Sequence, residues 1–238
     1  MKRKFIDIAV QFNQYDYFQK ICEMVSELGY YGICVESSQK QEALQDIGDS
    51  YSLKIWSRRT FEGSTSRVRA ALGRERSKTH LISVYSEGSD LAKWAAKDRR
   101  VDSIAVPLPT ISKIVDIALV KLMATNGKAL EIHLQEIIGA IGSRRIVLLR
   151  NLHRAIARAK QGACKIILGS GTSKITHLRA PRDMASILHI AGLDYEESLQ
   201  TISSIPLEIL RKNEQRLSRD FIAPGVATIQ IKEEDKFL

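Results

Sequence analysis

Short apolar runs alternate with helical patterns along most of this chain, and that alternation constrains the fold more than any other feature. The runs are Phe5–Val10, Tyr30–Val35, Leu53–Trp56, Leu81–Tyr85, Ser103–Val106, Leu130–Leu134 and Lys165–Leu168. Helical patterns fall between most of them, at Tyr15–Leu28, Gln41–Ser50, Ser66–Gly73, Asp90–Asp98, Ile111–Ala124 and Ser143–Gln161. A crossover helix returns each strand parallel to the one before it, so the pattern predicts βαβ units around a parallel sheet. Seven runs in a stretch of about 170 residues favour an α/β fold closed as an imperfect TIM-like (β/α) barrel over an open sheet. After Leu168 the pattern changes. Arg182–Ala191, Tyr195–Ile202 and Pro206–Arg216 read as extra C-terminal helices, and no eighth strand is evident. The expected organisation is one barrel domain over residues 1–216. A tail over 217–238 ends in charged residues and is expected to be partly mobile.

The chain has 238 residues, 44% of them hydrophobic, which is enough for a full core. Aromatics make up only 6%, so aliphatic side chains must fill it. Cys22, Cys34 and Cys164 sit among apolar or small neighbours at unrelated spacings and read as reduced core residues of a cytoplasmic protein. The basic start MKRKFIDIAV has too short an apolar run, interrupted by Asp7, for a signal peptide.

The net charge of +9 is concentrated in two windows. The first holds Arg58, Arg59, Arg67, Arg69, Arg74, Arg76 and Lys78 against Glu62 and Glu75, and reads as a loop plus a short helix. The second holds Arg144, Arg145, Arg150, Arg154, Arg158, Lys160 and Lys165 with no acid. Together these windows exceed the excess of the whole chain. In the second, Leu148, Leu149, Leu152, Ile156 and Ala159 mark one helix face, and Arg150, Arg154 and Arg158 recur every four residues on another. Ser143 is the expected N-cap and Gly162 the expected stop. Like charges at that spacing repel, so the stripe suits either a solvated face or a nucleic-acid phosphate backbone.

Metal-enzyme signatures are missing. His80, His133, His153, His177 and His189 form no H-x-H or H-E-x-x-H pair, and the cysteines form no C-x-x-C. Asp7, Glu36 and Glu131 lie in or just after strand-like runs, where an acid is either catalytic or a polar interior residue. The turn Gly169-Ser170-Gly171-Thr172 lacks the Lys-Ser/Thr end of a P-loop. It reads mainly as a tight strand-to-helix connection, presenting Lys174, Arg179 and Arg182 at one end of the barrel. Pro181 suits the first position of the following helix, and Asp183 its positive end. Asp183 either serves that dipole or orients Arg179 or Arg182.

From Leu149 to Arg216 the chain resembles the family of archaeal ribonuclease P protein component 3, the counterpart of the eukaryotic thirty-kilodalton subunit. The similarity rests on Arg150-Asn151, Gly169-Ser170-Gly171-Thr172, Arg179-Ala180-Pro181-Arg182-Asp183, the stretch from Leu188 to Gly192, and Pro206. Gly169 and Thr172 depart mildly from the Ser-Ser-Gly-Ala turn of that family. The resemblance implies a barrel related to the polymerase-and-histidinol-phosphatase type, without that class's metal cluster. It implies a subunit of the ribonucleoprotein that removes the 5′ leader from precursor tRNA. Catalysis would belong to the RNA component and its Mg²⁺, with no cofactor bound by the protein. Its partners would be ribonuclease P RNA, precursor tRNA and other protein subunits, especially component 2. The basic residues of both windows, with Lys174, Arg179 and Arg182, would then bind RNA or a protein partner. The alternative is a metal-dependent phosphoesterase on a related barrel, using Asp7, Glu36 and Glu131.

Overall fold

The computed structural model describes residues 3–12, 14–36, 41–218, 221–223 and 226–227. Each apolar run becomes a strand. β1 (Ile6–Val10), β2 (Gly32–Val35), β3 (Lys54–Phe61), β4 (Leu81–Tyr85), β5 (Ser103–Ala105), β6 (Ala129–His133) and β7 (Lys165–Gly169) form one seven-stranded sheet in sequence order. Every neighbouring pair in it is parallel. The crossovers are α1 (Tyr15–Glu27), α2 (Gln41–Ser50), α3 (Thr65–Glu75), α4 (Ser89–Lys97), α5 (Leu108–Ile114), α6 (Ile117–Thr125), the short α7 (Gln135–Ile138) and α8 (Gly142–Gln161). Beyond β7 come a 3₁₀ turn at Ile175–His177, α9 (Pro181–Ile190), α10 (Tyr195–Gln200) and α11 (Ser204–Leu217). β8 (Phe221–Ala223) and β9 (Val226–Ala227) pair antiparallel, and residues 228–238 of the expected tail lie outside the described residues.

Three elements differ from the sequence expectation. β3 continues through Arg58 and Arg59 to Phe61, where a loop was expected. The single helix expected over Ile111–Ala124 is two, broken at Val115 and Asp116. Asp116 caps α6 by accepting from the Leu119 amide at 2.7 Å. α8 starts at Gly142 behind Ile141 with no side-chain cap, so Ser143 lies inside the first turn rather than at the N-cap.

The barrel is nearly closed, and the seam between β1 and β7 is where closure is made. At the C-terminal ends of the strands, the Gly171 amide donates to the Ala9 carbonyl at 2.9 Å and the Gln11 amide to the Thr172 carbonyl at 3.0 Å. The Ser170 amide donates to the Asp7 carboxylate at 2.9 Å. At the other end, the Ile6 amide reaches the Ile202 carbonyl at 2.8 Å, and the Leu168 amide the Thr201 carbonyl at 3.0 Å. Two carbonyls between α10 and α11 thus do the work of the missing eighth strand. The inner apolar cluster, including Ile6, Ile8, Trp56, Leu81 and Ile167, is sealed by Leu210 of α11. That helix is held at the N-terminal end of the barrel. Trp56 Nε1 donates to Glu214 at 2.8 Å, and Asn213 Nδ2 to the His80 carbonyl at 2.7 Å. The other strand faces pack under the crossover helices in the main hydrophobic core.

Two glycines make the seam possible. A Cβ on Gly169 would stand 2.8 Å from Ala9 Cβ and 2.9 Å from Ile8 Cγ1. Gly171 has a φ of +67°, and a Cβ there would press on the His133 ring. Gly169→Ala should therefore destabilise the protein by about 1–3 kcal/mol through overpacking. Adding Ala9→Gly should recover part of the loss, because one of the two colliding methyls is removed. Thermal unfolding of the single and double variants measures both effects.

Candidate functional site

The C-terminal half of the barrel interior is polar. Strand alternation places Trp56 and Arg58 of β3 on one side, and Ala129, Glu131 and His133 of β6 likewise. Arg58 is only 4% exposed and Glu131 1%. Arg58 Nη2 donates to Glu131 Oε1 at 2.7 Å, Nη1 to the Ile8 carbonyl at 2.6 Å, and Nε to Thr60 Oγ1 at 3.2 Å. Glu131 also accepts from Ser103 Oγ at 2.6 Å and lies 2.5 Å from His133 Nε2. Burial opposes ionisation of Glu131, but the Arg58 charge and these bonds outweigh it and hold the carboxyl well below its usual range. The same carboxylate raises the Arg58 guanidinium against its own burial.

Each acid considered for catalysis is already engaged by protein groups. Asp7 sits at the seam, accepting from the Ser170 amide and, at 3.1 Å, from the Ala9 amide. Its other oxygen is buried without a partner, and burial pushes its pKa up despite those bonds. Glu36, after β2, accepts from the Thr60 amide at 3.1 Å and lies 3.7 Å from Arg59. Glu131 meets a guanidinium where a metal enzyme would offer a cation. Among the described residues, no three His, Cys, Asp or Glu side chains group in a way that could hold a metal.

The basic residues divide into braces and surface. Arg58 belongs to the interior, which removes it from any RNA- or partner-binding surface. Arg76 forms a fork on Asp102 at 2.5 and 3.0 Å and donates to Asn213 Oδ1 at 2.7 Å, tying β5 and α11 together. Arg158 gives Nη1 to the Ser112 and Val115 carbonyls at 2.5 and 2.9 Å, satisfying carbonyls that the break after α5 leaves without a helical partner. A spacing of four residues turns about 40° past a full helical turn, so by its third member the stripe has rotated from solvent to α5. Arg150 and Arg154 remain exposed, as do Arg144 and Arg145 in the first turn of α8. Arg67, Arg69 and Arg74 are exposed on α3. Lys78 is exposed and pairs with Glu75 at 3.1 Å, which also lies 3.5 Å from Arg59. Lys160 pairs with Glu197 at 3.0 Å.

The turn Gly169–Thr172 is tight, as expected, and its role is to stitch the seam. Pro181 opens α9, with Asp183 in the first turn. Lys174 is exposed just past the turn. Arg179 gives Nη1 to the Thr176 and Leu178 carbonyls at 2.8 and 2.7 Å, bonds to the backbone rather than to Asp183. Arg182 lies over the Phe5 ring, 5.8 Å from its centroid. Phe5 precedes β1, so Arg182 has reached the opposite end of the strands from Lys174, and the three cations do not share one end.

The network of Arg58, Glu131, His133 and Ser103 was not foreseen. The signal available was Glu131-x-His133 in a strand, two residues apart and therefore on one face.

The family model for RNase P subunit p30 matches residues 4–218. The chain belongs to this family. It is similar to ribonuclease P protein component 3 of Methanosarcina acetivorans, 28% identical over 71% of this chain and 70% of that protein. It also resembles the component 3 protein of Methanothermobacter thermautotrophicus, 25% identical over 94% of both chains. Among solved structures, a chain of an archaeal ribonuclease P with mature tRNA superposes with a TM-score of 0.81 at 17% identity, over 95% of this chain and 99% of that one. A Xaa-Pro dipeptidase superposes with a TM-score of 0.66 at 12% identity, over 89% of this chain and 76% of that one. The fold is thus a mixed α/β one, a nearly closed parallel barrel with flanking helices, and its overall shape is shared with that dipeptidase.

Separating Arg58 from Glu131 gives a direct test of the interior. Arg58→Met should destabilise by about 3–5 kcal/mol, because it strands a buried carboxylate. Arg58→Met with Glu131→Leu should recover most of that loss, measured by denaturant unfolding. The depressed Glu131 pKa adds stability that is complete above its ordinary value of 4.5 and is lost as pH falls below it. The double variant should lose that part of the acid sensitivity.

Proposed function

We infer that this chain is a protein subunit of ribonuclease P and supports the RNA-catalysed removal of the 5′ leader from precursor tRNA. Family membership over residues 4–218 carries this reading. The geometry agrees with it. The interior carboxylate is already neutralised by Arg58, so the barrel serves as a scaffold. Catalysis rests with the RNA component and its Mg²⁺ in the cytoplasm, and component 2 is the expected protein partner. Kinship with the polymerase-and-histidinol-phosphatase barrel is part of the same proposal. A seven-stranded barrel that keeps Glu131 and His133 toward the strand ends, with Arg58 where a cation would sit, supports it.

The RNA-facing residues are the exposed cations outside the groove between α7, α8 and α9: Arg67, Arg69 and Arg74 on α3, Arg144, Arg150 and Arg154 on α8, and Lys174. Arg144 lies in the first turn of α8, which contains no acid. Cations there oppose the helix dipole, a small stability cost that a phosphate would relieve. Charge reversal at Arg150 and Arg154 should weaken RNA binding and lower the magnitude of its salt slope by roughly 0.7–0.9 for each phosphate no longer neutralised. Arg158→Glu should instead lower the melting temperature, because its bonds are to α5. Filter binding across a salt series, with thermal melts, separates these outcomes.

The reading as a whole is tested by purifying the tagged protein from its host and sequencing the bound RNA. Enrichment of ribonuclease P RNA and precursor tRNA is expected. RNA of unrelated classes, or turnover of a model phosphoester by the protein alone with Mn²⁺, Zn²⁺ or Mg²⁺, would overturn it.

A further inference from the structure

The first two turns of α8 carry an apolar surface that the barrel does not use. A surface helix normally turns its aliphatic residues inward. Here Ile141, just before α8, is 81% exposed, and Ile146 and Val147 within it are 59% and 48% exposed. Ile190, at the end of α9, is 75% exposed. Of these, Ile190 lines an open groove of about 320 Å³ bordered by α7, α8 and α9. Ile138, Leu149, Ile187 and Ile190 contribute its apolar lining, and Arg145 and Arg179 its charge. The two backbone bonds of Arg179 fix its guanidinium at the groove before anything binds.

We propose that this groove takes an amphipathic helix of a partner protein, with its apolar stripe in the groove and its carboxylates on Arg145 and Arg179. Apolar side chains left exposed at a groove rim mark an interaction site, and a groove between helices suits a helix laid lengthwise. The partner must be acidic on its flanks, because no acid lines the groove and none occurs from Arg144 to Lys165. A second copy docked groove to groove would set Arg145 and Arg179 against like charges. An RNA strand would satisfy the arginines and leave the isoleucines in water. The protein partner is the occupant that answers both the charge and the apolar area. From the ribonuclease P reading, the proposal takes only that the chain works within an assembly.

The test uses the tagged full chain in its host with a photo-crosslinking residue, Ile190→benzoylphenylalanine. Lys20→benzoylphenylalanine on exposed α1 is the control. After purification and irradiation, the products are digested with nuclease or protease and the attached species identified by mass spectrometry. The expected result is a protein peptide with an apolar stripe and acidic flanks, attached at position 190 and not at position 20. Arg145→Glu should cut its yield roughly ten-fold, the effect of breaking one charge pair, without moving the melting temperature of the isolated chain. Attachment to RNA, to a second copy, to residues 228–238 of the same chain or to a basic peptide would overturn the proposal, as would no attachment at all. Loss of ribonuclease P RNA from the purified material with the crosslink intact would count against the ribonuclease P reading alone.

Discussion

Closing a parallel barrel with seven strands leaves β1 and β7 with unpaired edges, and the rest of the architecture answers that one deficit. Buried backbone groups need partners. The fold supplies them from two irregular segments rather than from a strand. Ser170 to Thr172 serve one end of the seam, and Thr201 and Ile202 the other. Glycine at 169 follows from the resulting closeness of β1 to β7, and the buried position of Asp7 from the need to receive the Ser170 amide. The extra helices are therefore structural members of the barrel. α11 finishes the work by sealing the interior with Leu210.

Inside that frame, the Arg58–Glu131 pair decides what the barrel can do. A barrel brings its strand ends together whatever the chain does, and that convergence alone confers no chemistry. A carboxylate already bonded to a guanidinium, a serine and a histidine has little capacity left for another cation. The buried pair also gains little net stability from its own attraction, because both charges had to leave water. Its effect is to tie β3 to β6 across the barrel interior.

Much of this was legible in the sequence. Alternation gave the seven strands and their parallel order, because burial on both faces writes continuous apolar runs. It failed for β3 because Arg58 and Thr60 face the interior and break the apolar signal while the strand continues. It failed at Val115 and Asp116 because both α5 and α6 are apolar, so their junction leaves no gap in the pattern. Charge counting located the basic windows but not their division into roles. The seam partners of Asp7 lie more than 160 residues away at Ser170, and those of Arg76 at Asp102 and Asn213. Such pairings arise from closure of the barrel, which local sequence does not report.

The seam also sets an order of events during synthesis. β1 leaves the ribosome before every other strand of the barrel, yet the carbonyl that receives the Ile6 amide belongs to Ile202. Until that residue emerges, the nascent sheet carries two open edges and an interior without its seal. Open edges of this kind template association with other chains. Completion thus depends on pairings spanning nearly the whole length of the polypeptide, the arrangement that folds most slowly. Neither edge can be satisfied before β7 and the segment that follows it have been made.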